Sequence, residues 1–199
     1  LEKKGNMISV DGEMFDAVIS TLPTPILIGL THHFFPQKYH SRLTRINYLH
    51  AHNLIIETKQ PFLNKIYWLN IMIPHIPFTV MVQHTHFIDK KNYNNHHLVY
   101  IGNYLERNDP RMNMNIDEIV NHFLPHIQKI TQNKPDIINS YLFKGPFAQP
   151  IFDAEFIKNK PDFETPIKNF FIANLDMTYP HDRGTNYAVK LGKEAVDFI

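Results

Sequence analysis

The chain has 199 residues, of which 43% are hydrophobic, and its 20 basic and 19 acidic residues nearly cancel. This hydrophobic fraction is enough for a globular protein with one large core or two smaller ones. The charge balance argues against a nucleic-acid partner, and the absence of cysteine excludes disulfides and thiolate-bound metals. No stretch approaches the roughly 20 apolar residues of a membrane span. With no signal-peptide pattern either, we expect a cytoplasmic location.

The first predicted elements are a hairpin and a buried strand. Met7–Val10 and Glu13–Phe15 flank Asp11 and Gly12, a pair that tolerates the positive φ angles of a tight turn. Ala17–Thr21 is a short apolar run typical of a strand inside a parallel sheet. Because nothing precedes these strands to complete a sheet, we expect a further N-terminal part of the protein outside this sequence.

A short helix is predicted at Ile26–Leu30, followed by a loop around Pro36, and strands then dominate. Four segments rich in β-branched and aromatic residues, separated by turn residues, predict an antiparallel sheet. In the third of them, strand alternation places Gln83 on one face and both His84 and His86 on the other. The four segments are Leu49–Thr58, Ile66–Ile73, Phe78–Phe87 and Leu98–Tyr104.

The remaining elements alternate between helix and strand. Apolar residues three and four apart predict a helix over Asp117–Ile130, which Pro125 is expected to kink or divide. Ile137–Phe147 and Phe170–Ala173 are predicted strands, and Thr185–Ile199 is a predicted terminal helix. The sequence therefore predicts an α+β protein.

Two segments resemble known parts of flavoproteins. Residues 169–199 resemble the C-terminal flavin motif of the FAD-dependent amine oxidase and protoporphyrinogen oxidase superfamily. Their sequence is NFFIANLDMTYPHDRGTNYAVKLGKEAVDFI. In that motif a strand ends beside the flavin and a glycine-led helix begins under it. A helix N-terminus suits a pyrophosphate or a reduced flavin, because it presents unpaired N–H groups and partial positive charge. DGEMFDAVISTLP, residues 11–23, is similar to the segment that returns from the substrate domain to the dinucleotide-binding sheet.

The resemblance implies a domain organisation. Residues 1–44 would be the returning segment of the FAD-binding domain, 45–150 a substrate-binding domain with an antiparallel sheet and helices, and 151–199 the C-terminal FAD-binding segment. The strands and terminal helix outside the substrate domain would be remnants of an α/β FAD-binding domain. The family's G-x-G-x-x-G fingerprint is absent from this sequence. We therefore expect a separate N-terminal dinucleotide-binding half as partner, and no tight FAD binding by this chain alone.

The resemblance also implies cofactor contacts near the terminal helix. Gly184 would let the backbone approach the cofactor, and Thr185 or Asn186 is expected to cap the helix. Arg183 is favoured because a guanidinium holds a carboxylate or phosphate through two hydrogen bonds, although the same loop also fits a solvated surface. The candidate cofactor-binding residues are Ser20, Thr21, Pro23, Asn174, Asp176, Tyr179, Arg183, Gly184, Thr185 and Asn186.

One departure from the family pattern affects an acidic residue. Many relatives have Ala-Gly followed by an acid that binds the ribityl chain. Here Ala173 is followed by Asn174 and Leu175, and the acid, Asp176, comes one place later. The role of Asp176 at the ribityl chain is therefore an open question in the sequence, and Asn174 offers an alternative polar contact.

Candidate substrate-binding residues come from the predicted sheet and the end of its last strand. Strand aromatics also fit a core or cross-strand pairs. The His84-x-His86 spacing also fits a metal site, but no carboxylate partner lies nearby in sequence, so no metal is predicted. No catalytic base is identified. The candidate substrate-binding residues are Trp68, Gln83, His84, His86, Tyr100, Phe147 and Gln149.

The resemblance implies an FAD-dependent oxidoreductase that transfers a hydride from a small molecule, amine-like or a ring compound, to the flavin. One alternative is a flavin-dependent sugar-nucleotide mutase, in which reduced flavin is a nucleophile and an arginine pair would hold the diphosphate. Another is a non-enzymatic binding domain with vestigial flavin features. Arginines available for such a pair are Arg42, Arg45, Arg107, Arg111 and Arg183.

Overall fold

The computed structural model of the protein describes residues 1–33 and 35–199. The chain divides into two compact units. Unit 1 combines Leu1–Asn47 with Pro150–Ile199, and unit 2 is the continuous segment Tyr48–Gln149. Each unit contains its own cluster of buried hydrophobic side chains.

Strands and helices are numbered in chain order among the described residues. The strands are β1 (Glu2–Lys4), β2 (Met7–Val10), β3 (Glu13–Phe15), β4 (Val18–Ser20), β5 (Tyr48–Thr58), β6 (Trp68–Asn70), β7 (Val80–Gln83), β8 (His97–Leu105), β9 (Ile137–Pro150) and β10 (Phe170–Ile172). The helices are α1 (Thr24–Thr31), α2 (Gln37–Leu43), α3 (Ile116–Thr131), α4 (Phe156–Asn159) and α5 (Thr185–Val196).

The predicted hairpin of unit 1 is confirmed. Strand β2 pairs with β3 in antiparallel register, with Val10 opposite Glu13. Asp11 and Gly12 between them have φ angles of 52° and 88°, the left-handed conformation that a two-residue hairpin turn requires. The N-terminal strand β1 pairs with β2 on its other side.

A parallel pair of short strands forms the second sheet of unit 1. Strand β4 pairs with β10, with Ile19 opposite Phe171, so the predicted buried parallel strand is confirmed. The surrounding core contains Ile8, Leu27 and Phe170. Helix α2 lies where a loop was predicted. It was missed because Leu43 is its one buried residue, so its sequence carries little apolar periodicity.

The sheet of unit 2, as far as the structure describes it, has the strand order β6-β7-β8-β5-β9. The pairs β6–β7, β7–β8 and β5–β8 are antiparallel, as predicted. One face is covered by α3. On that face Leu54 and Ile56 of β5 share a core with Ile119, Phe123 and Ile127 of the helix.

For unit 2, the end of one predicted strand and the predicted division of a helix at Pro125 are wrong. The third predicted strand ends at Gln83, and His84–His86 forms a 3-10 turn, so strand alternation does not govern His84 and His86. Helix α3 also runs through Pro125 without a division. Its start is fixed by Asn115, whose side chain accepts a hydrogen bond from the Glu118 amide while Glu118 bonds back to the Asn115 amide.

Candidate functional sites

A cleft of about 410 Å³ opens in unit 1 at the start of helix α5. Its position follows from the topology, because the carboxyl ends of two parallel strands meet at one edge of a sheet. Thr21 follows β4, Ala173 and Asn174 follow β10, and all three border the cleft. The residues that line it are Ile19, Thr21, Ala173, Asn174, Leu175, Thr178, Arg183, Gly184, Ala188, Leu191, Gly192 and Ala195.

Helix α5 presents its N-terminus at this cleft. Gly184 is the N-cap residue and the helix has no side-chain cap, so the prediction that Thr185 or Asn186 caps it is wrong. The backbone N–H groups of Thr185 and Asn186 have no acceptor among the described residues. A Cβ at position 184 would meet the carboxamide of Asn186, an exposed side chain that can move aside, so this contact does not by itself require a glycine. The helix start therefore carries free donors and the positive end of its dipole.

A buried polar network fixes the strand end beside the cleft. The Asn174 side-chain amide donates to the Leu22 carbonyl at 3.0 Å and to the Thr24 hydroxyl at 2.9 Å. The Thr24 hydroxyl donates to the Asp176 carboxylate at 2.5 Å. Asn174 and Asp176 are only 3% and 1% exposed. The network ties the segment after β10 to the start of α1.

A second cleft, of about 570 Å³, lies in unit 2. Most of its walls come from sheet residues that alternate with those buried under α3, whereas the ring of His52 lies 6.2 Å from that of Phe123 on α3. Tyr100 stands opposite Val82 in the β7–β8 register, and Val82 stands opposite Trp68 in β6–β7, so the three form one row across the sheet. The residues that line this cleft are Ala51, His52, Asn53, Trp68, Thr79, Val80, Val82, His84, Tyr100, Gly102, Asn103 and Tyr104.

Gly102 forms part of the floor of the unit 2 cleft. A Cβ at this position would lie 2.8 Å from Cγ1 of Val80, a distance too short for two carbon atoms. The glycine thus lets β7 and β8 pair closely. No lysine, arginine, aspartate or glutamate is found among the described residues that line the cleft. Apart from its histidines the lining is uncharged, and it combines aromatic and aliphatic side chains with the polar Asn53, Thr79 and Asn103.

His84 is held in place at the edge of this cleft. Its Nε2 atom lies 2.7 Å from the hydroxyl of Tyr93. The centroid of its ring is 5.3 Å from that of Tyr100, which packs against it at a tilt. Burial, aided by the neighbouring Tyr93, raises the pKa of the Tyr100 hydroxyl. The imidazole is thus held by one hydrogen bond and by ring contacts with Tyr93 and Tyr100.

Comparison with known proteins gives matches among solved structures alone, since no protein-family model and no curated sequence matches the chain. A cofactor-binding redesign of putrescine oxidase has a TM-score of 0.74 and 14% identity, and covers 96% of this chain. A candidate protoporphyrinogen oxidase from Exiguobacterium sp. 255-15 has a TM-score of 0.69 and 10% identity, and covers 98%. Reduced UDP-galactopyranose mutase has a TM-score of 0.58 and 14% identity, and covers 74%.

These matches decide the fold. The chain shares its fold with parts of the putrescine oxidase, Exiguobacterium and mutase structures. The resemblance inferred from residues 169–199 is confirmed at that level. The chain spans 45% of the putrescine oxidase and Exiguobacterium chains and 33% of the mutase chain. It therefore corresponds to less than half of each of these amine oxidase-like structures.

The amine oxidase-like fold brings some of the predicted cofactor residues together and separates others. Thr21, Asn174, Arg183 and Gly184 line the unit 1 cleft, and Thr185 and Asn186 open the helix beside it. Other candidates do not line it. Ser20 is buried within β4, and Pro23 immediately precedes α1. Asp176 accepts a hydrogen bond from Thr24. Tyr179 packs on Phe152 and Phe156.

Sequence reasoning missed the helical side of the unit 1 cleft. Ala188 and Gly192 follow Gly184 at intervals of four, so the three lie on one face of α5 near the cleft. This spacing of small residues was a usable signal, because small side chains leave room for a bound group. No comparable signal marks four other residues that line the cleft, which are Leu175, Thr178, Leu191 and Ala195.

Among the predicted substrate residues, Trp68, His84 and Tyr100 line the unit 2 cleft. Gln83 lies elsewhere, fully buried, where its Oε1 accepts a 2.7 Å hydrogen bond from the Phe62 amide. His86 is exposed, and its Nδ1 lies 2.9 Å from the carbonyl oxygen of Ile66.

The two candidates on β9 also lie outside this cleft. Phe147 has a φ of 56° and contacts the rings of Tyr48 and His50. Gln149 is half-buried at the end of the strand.

In the part of the chain that the structure describes, no cluster of three potential metal ligands occurs and no helix is long and apolar enough to cross a membrane.

Proposed function

We propose that this chain is part of an FAD-dependent oxidoreductase in which unit 1 contributes to the flavin site and unit 2 binds the substrate. The observation that carries the proposal is the unit 1 cleft, where a helix start with free N–H groups meets the ends of two parallel strands. This is the kind of place where open α/β sheets bind nucleotide cofactors. The assignment of 1–44 and 151–199 to an FAD-binding domain and of 45–150 to a substrate domain stays a prediction.

The residues at the unit 1 cleft fit a flavin nucleotide. The amides of Thr185 and Asn186 would stabilise negative charge on a phosphate or a reduced ring. Arg183 adds a guanidinium at the same cleft, and Ala188 and Gly192 leave the helix face open. Bound FAD would supply the hydride acceptor that the protein's own side chains lack. The chain's contribution is to position and neutralise the cofactor.

The unit 2 cleft favours an uncharged ring compound as substrate over a cationic amine. A cationic substrate is normally matched by a carboxylate, and the described lining contains none. Trp68, Tyr100 and Tyr104 instead offer aromatic surfaces, which favour a flat apolar molecule.

The same cleft argues against the sugar-nucleotide mutase alternative. A nucleotide diphosphate calls for arginine, and no arginine is present in the described lining. Arg111 of unit 2 is instead engaged with Asp109, through hydrogen bonds of 2.8 Å and 2.5 Å. We therefore favour the oxidoreductase.

The visible absorption spectrum of the protein purified from its complete reading frame tests the proposal. We expect flavin bands that bleach on addition of a substrate. Bleaching by dithionite alone, together with turnover of a sugar nucleotide, would favour the mutase. A colourless protein that takes up no added FAD would leave only the non-enzymatic alternative.

A pair of substitutions on α5 tests where the flavin binds. Ala188→Leu should lower FAD occupancy at least about tenfold, because the larger side chain fills the unit 1 cleft. Val189→Leu is the matched control, since Val189 is 56% exposed and outside the described lining of the cleft. The ratio of flavin absorbance to protein absorbance measures both. Equal flavin content in the two variants would place the flavin elsewhere.

A further inference from the structure

We propose that the unit 2 cleft binds a planar, uncharged ring compound bearing a weakly acidic O–H or N–H group, and that His84 accepts the proton of that group. This inference rests on the proposed function only in identifying the bound molecule as the substrate. The binding and the proton transfer themselves require no flavin. They follow from the walls of the cleft and from the hydrogen bond that holds His84.

The walls are built to hold a flat ring. Trp68 is 54% exposed, although a tryptophan in a folded domain is usually well covered. Its indole N–H donates to Oδ1 of Asn70 at 2.9 Å, so the ring is held while its surface stays open. Tyr100 shares its row on the sheet, and Val82 lies between them. An apolar floor between two aromatic rings favours stacking of a third ring.

His84 is the base that this cleft presents with its ring held in place. The other histidine in the lining, His52, is 1% exposed, and its burial and the nearby Lys144 and Arg111 lower its pKa to about 4. Burial raises the pKa of the Tyr100 hydroxyl above its ordinary value of about 10, so this phenol keeps its proton near neutral pH. Imidazole is the side chain suited to proton exchange in this range.

Tyr93 determines which ring nitrogen of His84 reacts. Nε2 is engaged with the Tyr93 hydroxyl, and Nδ1 has no hydrogen-bond partner among the described residues. When Nε2–H donates to the phenolic oxygen, Nδ1 carries the lone pair and can accept a proton. The same phenolic oxygen then stabilises the imidazolium. The groups that face His84 are Tyr93 from the turn at Lys90–Tyr93 and Tyr100 from β8.

The proton balance is simple. The ligand's O–H or N–H bond breaks, an N–H bond forms at Nδ1, and the electron pair stays on the ligand as an anion beside the imidazolium. In the proposed oxidation, this electron pair would form the new double bond as a C–H hydride leaves for the flavin. His84 would therefore act as the general base of the reaction.

4-Nitrophenol tests the inference without any flavin, because it is a planar phenol that ionises near neutral pH and its anion absorbs visible light. Added to the 199-residue chain at a pH where the free phenol is mostly neutral, it should bind and show the absorbance of the anion. His84→Gln should retain binding but lower the ionisation constant of the bound phenol more than about tenfold. His86→Gln, in the same turn but outside the cleft, should match the parent.

Two further variants distinguish a catalytic role from a structural one. Tyr93→Phe keeps the aromatic ring but removes the phenolic oxygen, so the bound phenol should ionise less than in the parent and more than in His84→Gln. Trp68→Ala should weaken binding of the phenol without changing its ionisation once bound. The chemical shift of the His84 ring should follow the proton as the probe binds.

The contrary results are equally definite. A bound phenol that stays neutral in the parent chain, or that ionises equally in His84→Gln, would overturn the role of His84. Failure of 4-nitrophenol to bind would overturn the ring-binding cleft. If proton transfer is observed but the complete reading frame yields a colourless protein, the flavin proposal fails while this inference stands.

Discussion

At the scale of single residues, a buried base makes the stability of unit 2 depend on pH. His52 is 1% exposed, and neither ring nitrogen has a hydrogen-bond partner among the described residues. Burial is the main cause that lowers its pKa to about 4, and Lys144 and Arg111 add to it. In the unfolded chain the same ring titrates near pH 6.5. Below that pH the unfolded chain binds a proton that the folded chain does not.

The sign of the effect follows from this linkage. The contribution of neutral His52 to the free energy of unfolding is constant above about pH 6.5 and falls as the pH drops towards about 4, by up to about 3 kcal/mol. Urea denaturation at pH 7 and at pH 4.5 measures it. His52→Phe should remove that share of the pH dependence, while other groups keep theirs. An unchanged pH dependence in His52→Phe would contradict the assignment.

Some of the predicted cofactor residues line the unit 1 cleft, and the sequence signals that point to them are local. Gly184, Arg183 and Thr21 are named because the segments that contain them, residues 169–199 and 11–23, resemble flavoprotein motifs. The resemblance suggests a cofactor contact for Asp176, and the predicted strand suggests a substrate contact for Gln83. Their actual partners, Thr24 and the Phe62 amide, lie 152 and 21 residues away, and no local pattern reveals them.

At the scale of elements, strand β7 also shows that a local sequence pattern does not reveal contacts with distant residues. The alternation of residues 80–87 predicts one long strand, yet the strand ends at Gln83. The amides of Phe87 and Ile88 turn back to the carbonyl of His84, and Thr85 contacts His97. These contacts form the turn that places His84 at the cleft. Strand propensity alone cannot show where such a turn begins, because tertiary contacts decide it.

Helix α3 gives a test at this scale, because it contains Pro125 in its interior. Proline lacks the N–H that would bond to the carbonyl of Asn121 and crowds the preceding turn. The helix persists because its apolar face, with Ile119, Phe123 and Ile127, is buried in the unit 2 core. Packing therefore outweighs the local penalty.

Pro125→Ala should raise the free energy of unfolding by about 2 kcal/mol, since the restored hydrogen bond outweighs the added freedom of the unfolded chain. Lys129→Ala on the exposed side of the same helix should change it by less than about 0.5 kcal/mol. Urea denaturation of both variants provides the comparison. No gain in Pro125→Ala would mean that the helix backbone is already relaxed around the proline.

At the scale of the whole molecule, unit 2 is an insertion whose two ends lie close together. The Ile151 amide donates to the Asn47 carbonyl at 2.8 Å, so the chain leaves and re-enters unit 1 at neighbouring points. Within unit 2, the rings of Tyr48 and Phe147 are 5.7 Å apart. An insertion with adjacent ends and its own core has the properties of an independently folding domain.

We therefore expect residues 48–149, produced alone, to fold cooperatively and to bind 4-nitrophenol. The buried cluster under α3 lies wholly inside this segment, so its removal from unit 1 breaks no contact within that cluster. Phe123→Ala in the isolated segment should lower the free energy of unfolding by about 3–5 kcal/mol, because it opens a cavity in that core. Circular dichroism during thermal unfolding follows both proteins. A broad, non-cooperative transition in the parent segment would show that unit 2 needs contacts from outside its own sequence to reach its native packing.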